Sequence, residues 1–228
     1  MASVLLLFLI LMSPSFIVSA AVDHRVCPFQ SLYNFGDSIS DVGNLIRLPT
    51  GARTSAARLP YGETTFHIPT GRSSNGLLMI DYIAMALRLP LLNPYLNPNA
   101  PVDHGVNFAV AGSTALDSSF FRARNVHVPA SNSPLSTQLN WFRNHLNRVC
   151  HNPTECAHRL EHALVFMGEI GGNDYNNAFF QGKMCGSPGV PVCPNPARRI
   201  HWDGIHLTQE AYMHMAQQLI GNILPRIC

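Results

Sequence analysis

With 228 residues, 46% of them hydrophobic, the chain is long enough for one domain with a sizeable core. Only 12% of residues are charged and the formal net charge is +2. With no basic stripe and no acidic tail, nucleic acid and polyanions are excluded as expected partners.

The chain opens on the apolar run VLLLFLILM, followed by a Ser/Pro break and the small residues Val18-Ser19-Ala20. This pattern predicts a signal peptide over residues 1–20 and a single mature domain over 21–228. The run is too short to cross a bilayer comfortably, although it lacks a basic n-region, the first arginine being Arg25. A buried N-terminal helix is the alternative. The expected destination is secretion or the lumen of the secretory pathway, with no membrane anchor after cleavage. Six cysteines, Cys27, Cys150, Cys156, Cys185, Cys193 and Cys228, favour disulfides in such a compartment. Close spacing suggests Cys150–Cys156 and Cys185–Cys193, while the connectivity stays open. No C-x-x-C pair supports metal binding instead, and no N-x-S/T sequon free of proline implies glycosylation.

Three short apolar runs end in glycine-rich turns: SLYNFG before Ser38, GVNFAVAG ending at Gly112, and ALVFMGEIGG ending before Asn173. They read as buried parallel strands whose carboxyl ends carry loops. Helical spacing predicts helices over 75–89, over 134–149 with Pro134 near its start, and from Thr208 to Ile223 with Ala211, Met215, Leu219 and Ile223 on one stripe. Strands alternating with helices predict an α/β fold, a parallel sheet covered on both faces. Residues 47–74 and 90–104, rich in Pro, Gly and polar residues, read as long loops over the site.

A serine hydroxyl is a poor nucleophile unless a base, a group orienting that base, and oxyanion donors surround it. For Ser38, in YNFGDSISDVGN, the candidate base among eleven histidines is His206. Asp203 precedes it by three residues in a turn closed by Gly204, a spacing that lets the carboxylate reach Nδ1–H and leaves Nε2 facing outward. A solvated aspartate beside an incidental histidine has the same pattern. Candidate donors are the Ser38 N–H at a helix start, the Gly112 N–H, which no side chain shields, and the neutral carboxamide of Asn173.

Taken in order, FGDSISDVGN, NFAVAGS, GEIGGNDYN and DGIHLT resemble the consensus blocks of the GDSL esterase/lipase family, the SGNH hydrolases. PYGETTFHIPTGR and PLSTQLNWF resemble its plant secreted branch. The resemblance implies a three-layer α/β/α sandwich of flavodoxin-like type and hydrolysis of small-molecule or lipid esters without a cofactor. It implies Ser38 as nucleophile, His206 as general base and acid, Asp203 as orienting carboxylate, and an oxyanion hole of Ser38, Gly112 and Asn173. Asp37 and Asp174, in the same blocks, read as turn and capping residues. Asn75 and Leu77 stand where the family usually has Asp and Arg, which touches local loop anchoring.

Asp203 follows Asn173 by only thirty positions. Plant members carry most of their extra length between these blocks, so the chain resembles a member shortened near 182–185, between Gly182 and Cys185. The ALVFMGEI strand is then expected to form an apolar edge with unpaired backbone, and a vestigial, non-catalytic binding protein is the alternative function. A zinc hydrolase is a remote third reading, because His158, Glu161 and His162 form H-x-x-E-H; a solvated amphipathic helix explains the same residues. His67, His104, His145 and His201 read as surface or loop residues, and His201 with Trp202 as a possible cleft lining.

Overall fold

The computed structural model describes residues 27–126, 133–176, 189–192 and 194–228. The predicted signal peptide, the Cys185–Cys193 pairing and the stretch at 182–185 lie outside the described residues. Strand β1 spans Ser31–Phe35, β2 Gly105–Asn107 and β3 Ala163–Met167. They form one parallel sheet in the order β2-β1-β3, with Tyr33 opposite Val106 on one side and Val165 on the other. The helices are α1 (Met79–Ala86), α2 (Ser118–Arg122), α3 (Leu135–Val149), α4 (Pro153–Glu161), α5 (Gly172–Asn176) and α6 (Gln209–Ile227).

Alternation along β1 sends its side chains to two cores. Leu32 packs with Leu78, Ile80, Ile83 and Ala84 of the α1 region and with Tyr212 and Ala216 of α6. Tyr33 and Phe35 pack with Val106, Phe108 and, from α3, Trp141 and Phe142. Helices therefore cover both faces, the α/β/α layering that the alternating pattern predicted. Each large apolar side chain buried this way contributes roughly 1.5–3 kcal/mol.

Two helices and one histidine differ from their predicted forms. Helix α1 starts four residues late, because residues 74–78 are held in a turn by Ser74 Oγ, which accepts from the Gly76 N–H at 2.9 Å and donates to the Leu77 carbonyl at 3.1 Å. Asp81 then accepts the Leu78 N–H at 2.8 Å and grips Arg72 through Nε at 2.8 Å and Nη2 at 2.7 Å. On α6, Tyr212 and Ala216 are the fully buried residues, whereas Met215 is 46% exposed. The predicted stripe is thus rotated by one position from the face that meets the core. His145 is fully buried on α3, edge-on to Tyr33 and Phe108, and is a core residue rather than a surface one. Burial, then Arg148 and Arg159, push its imidazole down to about 4, keeping it neutral.

Cys150 and Cys156 are bonded as their spacing suggested, and Cys27 pairs with Cys228. The latter bond fixes the start of β1 to the end of α6, a pairing that spacing did not single out. Among the described residues β3 is an outer strand of the sheet, with Val165 and Met167 about half exposed on one face. Phe166 and Met167 also border a groove of about 560 Å³ whose opposite wall includes Met215 and Leu219 of α6. This is the apolar edge expected from the short interval between the last two blocks.

Candidate active site

Parallel pairing brings the loops after β1, β2 and β3 to one end of the sheet. Beyond β2 the ladder continues, since the Phe108 N–H donates to the Asn34 carbonyl at 2.7 Å and the Val110 N–H to the Gly36 carbonyl at 3.2 Å. Residues 108–112 therefore follow β1 up to the Ser38 turn. From β3, the Glu169 carbonyl accepts the Asp37 N–H at 2.9 Å. Gly36, at φ +148°, leaves the strand where a Cβ would stand 2.5 Å from Ser40 Oγ and 2.9 Å from the Glu169 carbonyl, so the approach requires glycine.

Buried amides and carboxylates hold this turn. Gln138 of α3 accepts the Gly36 N–H at 3.0 Å and donates to its carbonyl at 2.8 Å. Asp41, fully buried, accepts from Gly43, Asn44, Leu45 and Ala111 N–H groups at 2.6–3.0 Å. Asn44 donates to the carbonyls of Asn107 and Ala109, and Asn107 to that of Ser40. Ser38 itself is 9% exposed.

Asn173 opens α5 beside the same turn. Its Nδ2 donates to the Ser113 carbonyl at 2.9 Å and to Asp37 Oδ2 at 3.2 Å. Asp174 accepts from the Ala115 and Leu116 N–H groups at 2.8 and 3.0 Å. The sequence reading of Asp37 and Asp174 as local turn and capping residues is therefore too narrow. Each reaches a separate loop, and together they tie the Gly112 loop, the Asn173 turn and the Ser38 turn.

The fourth segment is a loop closed by paired backbone bonds, Trp202 N–H to the His206 carbonyl at 2.8 Å and Thr208 N–H to the Ile200 carbonyl at 2.9 Å. Gly204, at φ +89°, lets it fold so that Asp203 Oδ1 accepts the N–H groups of Ile205 and His206 at 3.0 and 2.8 Å. Asp203 Oδ2 lies 2.6 Å from His206 Nδ1 and accepts the Tyr61 hydroxyl at 2.7 Å. Burial pushes this carboxyl up, but the hydrogen bonds and charge of His206, joined by Tyr61, outweigh it and hold it at about 2. The carboxylate is ionised throughout the neutral range and fixes the imidazole through Nδ1. Asn75 fastens the region from below, accepting the Gln209 N–H at 2.8 Å and donating to Thr64 Oγ1 at 2.7 Å. An amide does both at once, so its departure from the family pattern leaves the loop anchored.

Asp203 and His206 thus meet as a bonded pair. Among the described residues no hydrogen bond joins Ser38 Oγ to His206, while the charge of His206 lowers the pKa of Asp37, the residue before Ser38. Trp202 is buried with its ring edge-on to Tyr61, so it braces the pair instead of lining a cleft. His158 and His162 bring their rings to 5.3 Å, yet among the described residues no three His, Cys, Asp or Glu side chains group to hold a metal ion.

The model of the GDSL-like lipase/acylhydrolase family matches residues 32–197. The chain belongs to this family. It is 59% identical over 155 residues to an acetylajmalan esterase of Rauvolfia serpentina, covering 68% of this chain and 40% of that one. A GDSL esterase/lipase of Arabidopsis thaliana is 52% identical over 158 residues, with 68% and 40% covered. This chain therefore spans less than half the length of these relatives. Acetylajmalan esterase 2 of Rauvolfia serpentina aligns over 334 residues at 51% identity, covering 89% of this chain and 92% of that one. Because 334 exceeds the 228 residues here, the shortening relative to that family member is internal. The resemblance pointed to Ser38, Gly112, Asn173, Asp203 and His206; it did not disclose the bond of Asp41 to Ala111, of Gln138 to Gly36 or of Tyr61 to Asp203, which span 70, 102 and 142 positions.

Burial pushes the Asp37 carboxyl up to about 6; the Ile39 N–H opposes this, Glu169 and Asp174 add to it, and the His206 charge lowers it. A carboxyl raised on folding contributes stability that is full below its unfolded value near 4 and is lost as pH rises through about 6. Two units correspond to about 3 kcal/mol. Asp37→Asn should therefore raise the urea midpoint at pH 7 and flatten the parent's decline between pH 4 and 6. A parent-like decline in the variant would assign the titration to another group. Asp203 acts oppositely, its contribution being present above pH 4 and lost as pH falls through about 2.

Proposed function

We propose that the chain is a secreted serine carboxylic-ester hydrolase working through an acyl-enzyme on Ser38. The observation that carries this reading is the buried Asp203–His206 pair, bonded through Nδ1 at 2.6 Å. Ser38 Oγ bonds to the ester carbonyl carbon while its proton passes to His206 Nε2. The carbonyl oxygen takes the electron pair and is held by the N–H groups of Ser38 and Gly112 and by Asn173 Nδ2. Collapse breaks the bond to the alcohol oxygen, which leaves with the proton from His206. Water then repeats the sequence and frees the acid and the serine. Acetyl esters are the first substrates to try, since three Rauvolfia relatives bear the name acetylajmalan esterase. The domain is residues 21–228 after removal of 1–20, shortened near 182–185.

A serine-directed phosphonate should form a stoichiometric adduct on the peptide containing Ser38, and the adduct should vanish in Ser38→Ala. Labelling elsewhere, or equal turnover of an aryl acetate by Ser38→Ala, would remove Ser38 from the mechanism. The exposed Val165 and Met167 on β3 favour one second reading, a ligand-binding relic without turnover; it requires that neither adduct nor turnover be found.

A further inference from the structure

Tyr61 lies 142 positions from Asp203, in the PYGETTFHIPTGR segment, and its hydroxyl donates to the same carboxylate oxygen that faces His206 Nδ1. We infer that Tyr61 is a positioning residue that fixes Asp203 and moderates its pull on the imidazole, extending the pair to Tyr61–Asp203–His206. The inference rests on the hydrolase reading above for its effect on turnover, but not for its effect on the pair itself.

The carboxylate makes four hydrogen bonds. Oδ1 takes two backbone N–H groups of its own loop, and Oδ2 takes the Tyr61 hydroxyl and His206 Nδ1–H. The Asp203 side chain has no solvent exposure, so water does not substitute for any of these donors. Without Tyr61, rotation of the carboxylate would be limited only by its own loop. With it, Oδ2 is pinned from a separate segment. A phenol donating to Oδ2 also withdraws charge from the oxygen that attracts Nδ1–H, so Asp203 orients the imidazole without drawing the proton hard toward itself.

The ring is placed independently of that bond. Tyr61 is 2% exposed and packs against Trp202 and Ala56. The Gly62 N–H donates to the Ser74 carbonyl at 3.1 Å and the Tyr61 N–H to the Arg58 carbonyl at 3.2 Å. The other titratable groups around the pair are Asp37 on the Ser38 turn, which interacts with His206, and Tyr212 on α6, which interacts with Asp203, Glu169 and Asp37. Tyr212 accepts the Leu207 N–H at 3.3 Å, and its hydroxyl is not bonded to Asp203.

Tyr61→Phe keeps the ring and removes the hydroxyl that donates to Asp203. A bond to a charged group of this kind predicts a fall in kcat on the order of tenfold with little change in KM. The acid limb of kcat against pH should move to higher pH, because Oδ2 then stabilises the imidazolium more strongly. Independently of turnover, the proton resonance of His206 Nδ1–H should shift downfield in the variant, measured in a Ser38→Ala background. Repeating this with Asp37→Asn removes the neighbouring titration. An unchanged resonance and an unmoved acid limb would overturn the inference. If Tyr61→Phe loses its cooperative thermal transition, a fluorinated tyrosine at 61, a stronger donor of the same shape, should move the resonance upfield; no movement overturns the inference equally. If the phosphonate fails to label Ser38 while the resonance responds, the hydrolase reading fails and the Tyr61 inference stands.

Discussion

His206→Ala should lower kcat on the ester by on the order of 10⁶-fold. In serine hydrolases, removing the base alone costs about as much as removing the whole catalytic set, because the members act as one unit. Here the imidazole is engaged through Nδ1 by the buried Asp203 at 2.6 Å and interacts with Asp37 of the Ser38 turn. The fold should tolerate the truncation in part, since Asp203 keeps the Tyr61 hydroxyl and two loop N–H groups. The variant should therefore retain a cooperative melt and lose its labelling by a serine-directed phosphonate. Added imidazole, entering the space left by the ring, should restore a measurable fraction of the rate. Residual turnover within tenfold of the parent would mean that another group takes the Ser38 proton, and the role assigned to His206 would have to be abandoned.

The pieces of this site that sequence discloses are those whose chemistry is local. D-x-x-H around Gly204 predicted the Asp203–His206 contact, and it forms. β1 was legible as a five-residue buried run closed by Gly36. Long-range contacts were hidden. Tyr61 and Gln138 act on partners 142 and 102 positions away, and a hydroxyl or amide in a loop or helix carries no mark of such a partner. The α6 stripe failed for a different reason. That helix is apolar on two adjacent faces, one against α1 and one lining the groove beside β3, and periodicity alone does not say which face the core takes. His145 was misplaced because a histidine among polar helix neighbours resembles a surface residue until Tyr33 and Phe108 close over it.

Asn173→Ala should reduce kcat by about 10²–10³-fold, equivalent to 2.7–4 kcal/mol of transition-state stabilisation, with KM nearly unchanged. The carboxamide is neutral, so it gains most when negative charge develops on the substrate oxygen and little from the ground-state carbonyl. In the resting site both Nδ2 hydrogens are already directed at acceptors, Ser113 carbonyl at 2.9 Å and Asp37 Oδ2 at 3.2 Å. The longer of these is the one an oxyanion would compete for, while the Ser113 bond keeps the amide plane fixed. Asn173→Asp, nearly the same shape without the donor, should lose at least as much and add charge beside Asp37, whose carboxyl is already pushed up by burial and by Glu169 and Asp174. Equal falls in kcat and in kcat/KM would locate the interaction in the transition state. A rise in KM alone would instead make Asn173 a substrate contact, and unchanged kinetics with a lower melting temperature would reduce it to a clamp between the Ser38 turn and the Gly112 loop.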